Sequence, residues 1–209
     1  MKNYFFIFIL FLSLFLGDSE KSFSATYTVG TAGNYATLKA AFDDINAGNI
    51  TGAITLNVIS NTTEPTPGTN IPNMILNASG AGAANYSSVL IQPSGGAWTI
   101  SGTGYSSTLQ GLMLINGSNV TIDGLNTGGN SLAIKNIQTN NYYTVKFGSS
   151  NTNKIQNSTL TGSYNLGAWI TPSEIDRVIG GRFSPCGNLI RGTSVAPMIV
   201  AEVSTRGNV

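Results

Sequence analysis

The chain has no histidine, a single cysteine and very little charge: in 209 residues, Asp, Glu, Lys and Arg together make up only 9%. Without histidine, the commonest general base and the commonest transition-metal ligand are both missing. Cys186 has no second cysteine to pair with, so no intramolecular disulfide can form. Charged residues usually account for about a quarter of a globular chain; here Asn, Ser, Thr and Gly must clothe the surface instead. A formal net charge of +1 gives neither the basic footprint of a nucleic-acid binder nor an acidic tail. Arginine is absent until Arg177, after which Arg182, Arg191 and Arg206 follow quickly.

What is present is short apolar alternation, and the stretch from Asn119 to Leu160 shows it most clearly. Val120-x-Ile122, Leu132-x-Ile134 and Val145-x-Phe147 are separated by Asn, Gly, Ser and Thr. Period-2 alternation predicts half-buried strands and the polar clusters predict turns. Ile134-Lys-Asn-Ile137 is echoed by Ile155-Gln-Asn-Ser158, 21 residues later, a spacing within the range of solenoid repeats. The expected fold is all-β, a single-stranded parallel β-helix. Its inward branched side chains would stack at the ~4.8 Å strand spacing. Earlier strands are expected at 27–29, 53–59, 73–76, 89–92, 98–100 and 112–114, with 61–72 and 77–87 as loops. At ~20–25 residues per turn, residues 89–165 hold three or four coils. Asn126, Asn136 and Asn157 are expected to serve the bends, where positive φ is needed, and to stack as an amide ladder. A solenoid locked by ladder hydrogen bonds does not need disulfides.

The amino terminus carries a different signal. Lys2 precedes the apolar run Tyr4–Leu16, too short to span a bilayer as a helix and suited to a signal-peptide core. Cleavage is expected after Ser24, or one residue on after Ala25, leaving no membrane span in the mature chain. Residues 37–48 then read as a helix: Leu38, Ala41, Phe42 and Ile45 form one apolar stripe, Thr37 is the N-cap and Gly48 the stop. Asp43 and Asp44 are adjacent on that helix and diverge by about 100°, which argues against a catalytic carboxylate pair. An amphipathic helix ahead of the first coil is the expected cap for an otherwise open stack.

The phrases YTVG, NYATLKAAFDDINAG, ITLNV, Val89-Leu-Ile91 and NVTIDGL, spread over about residues 26–165, resemble secreted bacterial right-handed parallel β-helix proteins of the pectate-lyase-like superfamily. The likeness is greatest to large surface proteins of that type. It implies a right-handed coil, but the superfamily places lyases, hydrolases, adhesins and passive stalks on one scaffold. Its enzymes typically gather several carboxylates on one sheet, whereas Asp123 is the only acid in the clearest coils. Asp123 is therefore expected to be a bend residue bonding to the backbone that follows it.

Four segments are thus expected: a signal peptide (1–25), an entry strand and capping helix (26–52), coils (53–165) and an atypical carboxyl segment (166–209). In the last, the alternation fades and the composition shifts, and the expectation is either an atypical capping segment or, preferred, a chain interrupted by truncation or a reading-frame error. Gly192-Thr-Ser194-Val-Ala-Pro197 resembles the phrase around a subtilisin-type serine, but it lacks one residue of that spacing, and the chain has no histidine to act as base. The functional expectation is an exported, cell-surface or extracellular, adhesin-like stalk or weak glycan-contacting module, not an enzyme. The alternative is the amino-terminal piece of a polysaccharide lyase or glycoside hydrolase. Candidate glycan contacts are Tyr142, Tyr143 and Lys146, since an aromatic face can pack on the C–H side of a sugar. Tyr105, Tyr164 and Trp98 are further stacking candidates, and Lys135, Lys146 and Lys154 are expected to line an outer face. No catalytic residue, metal or cofactor is assigned. The partners considered are extracellular polysaccharide and, end to end, a second copy of the chain.

Overall fold

Ile54, Leu56 and Val58 alternate with Ala53, Thr55 and Asn57, and all three are at most 1% exposed. That local pattern builds the architecture. In the computed structural model, residues 24–66, 73–104, 111–137, 144–148 and 152–161 are described, with the backbone alone of 189–191 and 194–196. The strands are β1 (Ser24–Val29), β2 (Gly52–Val58), β3 (Thr62–Thr63), β4 (Met74–Leu76), β5 (Tyr86–Pro93), β6 (Ala97–Gly102) and β7 (Met113–Ile115). They continue as β8 (Val120–Asp123), β9 (Ser131–Asn136), β10 (Val145–Phe147), β11 (Lys154–Gln156), β12 (Ser158–Thr161), β13 (Leu189–Arg191) and β14 (Ser194–Ala196). A helix, α1 (Leu38–Asn46), lies between β1 and β2.

Every ladder among these strands is parallel, and the strands fall into three sheets visited in rotation. The first sheet runs β1-β2-β5-β8-β11-β13, the second β3-β6-β9-β12-β14 and the third β4-β7-β10. This is a parallel β-solenoid of about three turns. Equivalent side chains stand in register: Leu56, Ile91, Ile122 and Ile155 form one inward column, each 0% exposed. Ile100, Ile134 and Leu160 form another, and Leu76, Ile115 and Phe147 a third. Three columns from three sheets close on one dry core.

The repeat is longer than the phrase echo suggests. Ile155 stacks on Ile122, 33 residues earlier, in the first sheet, whereas Ile134 stacks on Ile100, 34 residues earlier, in the second. The similar phrases at Ile134 and Ile155 therefore belong to different sheets. Each coil contains three strand-and-bend units, so local likeness recurs within a coil as well as between coils. The expected loop 61–72 also hides a short strand, β3, paired to β6; residues 67–72 of it lie outside those described.

The helix has the expected ends. Thr37 Oγ1 accepts from Ala40 N–H at 3.2 Å. Gly48, at φ +74°, reverses the chain, and the N–H groups of Gly48 and Asn49 return to the carbonyls of Ile45 and Asp44 at 3.0 Å each. Leu38, Ala41, Phe42 and Ile45 are all buried. The T-I-D-G bend also holds. Asp123 Oδ1 accepts from Leu125 N–H at 2.8 Å, and a Cβ at Gly124 would collide with the carbonyl oxygen of Asn157. Asn126 and Asn157 take positive φ, +50° and +52°, as bend residues should. Those two flank the corner between the first and second sheets, while Asn136 ends β9, so the three do not stand above one another as one ladder. An amide-to-amide bond between coils is found instead on the first sheet, where Gln92 Nε2 donates to Asn57 Oδ1 at 3.0 Å. Of the segment 166–209, β13 and β14 pair with β11 and β12; the remainder lies outside the described residues.

Candidate functional site

Alternation that buries one set of side chains sends the other set outward, so any contact surface must come from the outward columns. On the first sheet these are Thr26, Thr55, Leu90, Thr121 and Lys154, and beside them Thr28, Asn57, Gln92, Asp123 and Gln156. Hydroxyls and carboxamides dominate. They are neutral donors and acceptors held at strand spacing on a stiff support.

Asp123 is the carboxylate within this face, and it is fully engaged. Besides Leu125 N–H, it accepts from Asn157 Nδ2 at 3.0 Å and from Gln156 Nε2. Burial pushes its pKa up, but the bonds from Asn157, Leu125 and Gln156 and the charge of Lys154 together hold it below the usual carboxylate value. Its register neighbour on the next coil, Gln156, is an amide, as is Gln92 one coil back, next to the Ile91 that faces Ile122.

The other described acids sit near the helix. Asp43 pairs with Lys39 at 2.6 Å, one turn away. Asp44 accepts from Tyr35 Oη at 2.8 Å and Asn49 Nδ2 at 2.9 Å; these bonds, Asn49 first, lower its pKa. Glu64, 3% exposed, accepts from the N–H groups of Leu38 and Lys39 at 3.0 and 2.9 Å and from Thr62 Oγ1 at 2.9 Å. It closes the amino end of α1. Burial nevertheless raises its pKa, outweighing those bonds and the Lys39 charge. Among the described residues no cluster of three or more His, Cys, Asp or Glu could hold a metal ion.

Of the predicted glycan contacts, Tyr142 and Tyr143 lie outside the described residues, as do Tyr105 and Tyr164. Lys146 points outward from β10, between the buried Val145 and Phe147, in a column with Leu114 and Ile75. The expected lysine face does not form. Lys135 is on the second sheet, Lys146 on the third and Lys154 on the first. Successive strands of one coil turn to different sides of the prism, which separates the three charges. Trp98 is partly committed too: its Nε1 donates to Ser94 O at 2.9 Å and its ring packs against the core. Tyr86 is buried, its hydroxyl donates to Asn77 O at 2.6 Å, and burial pushes its pKa up to about 12. Buried Glu64 and Asn153, the latter accepting from Val120 N–H at 2.9 Å and donating to Gly117 O at 2.8 Å, and half-buried Asn46 carry no sequence signal, because an isolated polar residue in a polar-rich chain shows no period.

Compared with family profiles, with curated proteins and with solved structures, the chain finds no match in any of the three. No helix among the described residues is long and apolar enough to cross a membrane.

Proposed function

We propose that this chain is an exported β-helix of the pectate-lyase-like, surface-protein type, acting as a rigid stalk whose outward columns make weak contacts with neutral extracellular polysaccharide. The observation that carries this reading is the first-sheet face of Thr, Asn and Gln, in which Asp123 is bonded to its own bend and to the next coil. A right-handed coil fits the strong preference of parallel crossover connections for that hand. Helix α1, with its apolar stripe buried, fits the part of an end cap. Hydrolysis of a glycosidic bond ordinarily takes two carboxyl groups flanking it; the coil neighbours of Asp123 are amides, so the lyase or hydrolase alternative finds no support in the described coils.

The full chain, expressed with its leader in a bacterial host, tests both halves of the reading. Mass spectrometry of the culture medium and envelope fractions should find a form beginning at Ala25 or Thr26; an intact leader in the cytoplasmic fraction would remove the export half. The same material on a glycan array should show weak retention on neutral polysaccharides that Thr55→Ala with Thr121→Ala reduces several-fold. Uniform silence on the array would leave a plain stalk.

A further inference from the structure

The amino-terminal edge of the third sheet is closed by a side chain acting as a strand. Asn46, the last residue of α1, donates from Nδ2 to Ile75 O at 2.8 Å and accepts at Oδ1 from Asn77 N–H at 2.8 Å. In a parallel ladder, one residue of an incoming strand bonds through its own N–H and C=O to the carbonyl before, and the N–H after, the residue it faces. The carboxamide of Asn46 makes that pair of bonds opposite Leu76. It therefore stands where a peptide unit of a preceding rung would be.

The edge of the first sheet at this end is met in a similar way, and the second sheet is tied to the helix through a side chain. On β1, Thr28 N–H donates to Asn34 Oδ1 at 2.8 Å and Thr28 O accepts from Tyr35 N–H at 3.0 Å. At the end of β3, Glu64 binds the first amides of α1. One contiguous segment, 30–46, thus supplies groups that bond to the outer edges of the first and third sheets and amides that bind the side chain following β3.

We infer that Asn46 is a built-in stop against strand addition, and that what it holds off is a strand from a second copy of this chain. The inward columns at β4, Met74–Met113–Val145 and Leu76–Ile115–Phe147, run in register from coil to coil. Another such strand, aligned on β4, would continue both the ladder and the dry column, which makes a like chain the best-fitting occupant. The inference rests on reading α1 as the cap of the stack, but it assigns the specific block to one carboxamide.

Size-exclusion chromatography with light scattering on the full chain, over a concentration series, tests it. Wild type should remain at monomer mass, while Asn46→Ala should move to multiples of that mass as concentration rises. Ile75→Pro supplies the control. Met74 N–H and Leu76 O bond on the β7 side of β4, to Leu112 O and Asn116 N–H, so residue 75 faces away from β7 and a proline ring there obstructs only the outer edge. The double variant Asn46→Ala/Ile75→Pro should return to monomer mass. A monomeric Asn46→Ala with an unchanged circular dichroism spectrum overturns the inference, as does wild type already associated at the same concentrations. Association that survives Ile75→Pro also overturns it, because the contact would then not use this edge. The capping reading is measured separately by the melting temperature of Phe42→Ala, so either can fail alone.

Discussion

Glu64 shows how one buried side chain can join two elements. Its carboxylate meets two backbone N–H groups of α1 that have no partner within the helix, and it anchors them to the end of β3. Glu64→Ala should cost about 1–3 kcal/mol through those stranded donors, read by urea unfolding. The pH dependence has a definite sign. Because burial raises the folded pKa above 4.5, the fold holds this proton more tightly than the unfolded chain does. The stabilisation from protonated Glu64 is complete below the unfolded value and is lost as pH rises through the folded one. Wild type should therefore lose stability relative to Glu64→Gln over that interval, and parallel curves would contradict the burial argument. Asp123 has the opposite sign. Its lowered pKa makes a contribution that is present above 3.8 and lost as pH falls through the folded value.

At the scale of elements, the bends and the columns are where substitution should be felt most. Gly124 accepts no side chain because the carbonyl of Asn157 on the next coil occupies the space. Gly124→Ala should destabilise by more than about 1 kcal/mol, measured by thermal melting, although alanine ordinarily favours order. Ile122 lies between Ile91 and Ile155 in the first-sheet column, so Ile122→Ala should cost about 2–5 kcal/mol. In the helix, Phe42 is among the largest fully buried side chains, and Phe42→Ala should cost about 3–5 kcal/mol. A change near zero at Phe42 would mean that α1 does not hold the end of the stack.

Much at this scale was readable beforehand. The inward residues of β2, β5, β8 and β9, the caps at Thr37 and Gly48, and the bend at Asp123-Gly124 all follow from local patterning. The coil length did not. Ile134 and Ile155 look like successive repeats because each precedes a polar turn, yet a three-sided coil presents that motif several times per turn. The error in the lysine face has the same origin: Lys135, Lys146 and Lys154 are close in sequence but stand on three different sheets. Glu64 and Asn46 were beyond the reach of pattern reading, since their partners lie 25 to 31 residues away.

At the scale of the whole molecule, a stack of coils is quasi-one-dimensional, with stability set by each coil and its nearest neighbours. Protection against amide exchange should therefore be greatest in β5 and β8, which have a rung on each side, and least in β1, which has one. Exchange measured by mass spectrometry checks this, and uniform protection along the first sheet would contradict it. The same geometry makes the ends the vulnerable places; at the amino end Asn34 and Tyr35 bond to Thr28 of β1, and Asn46 bonds to Ile75 and Asn77 at β4.

The amino-acid order by itself determined which side chains face inward, where the chain must bend and where the helix starts and stops. Those features depend on period-2 alternation, local steric limits on φ and capping within a few residues. Only the tertiary structure decided how many strands make one coil, which phrases lie above one another and which side chains bond to the outer edges of β1 and β4. These are fixed by contacts about thirty residues apart, and no local preference encodes the length of chain needed to return to the same sheet.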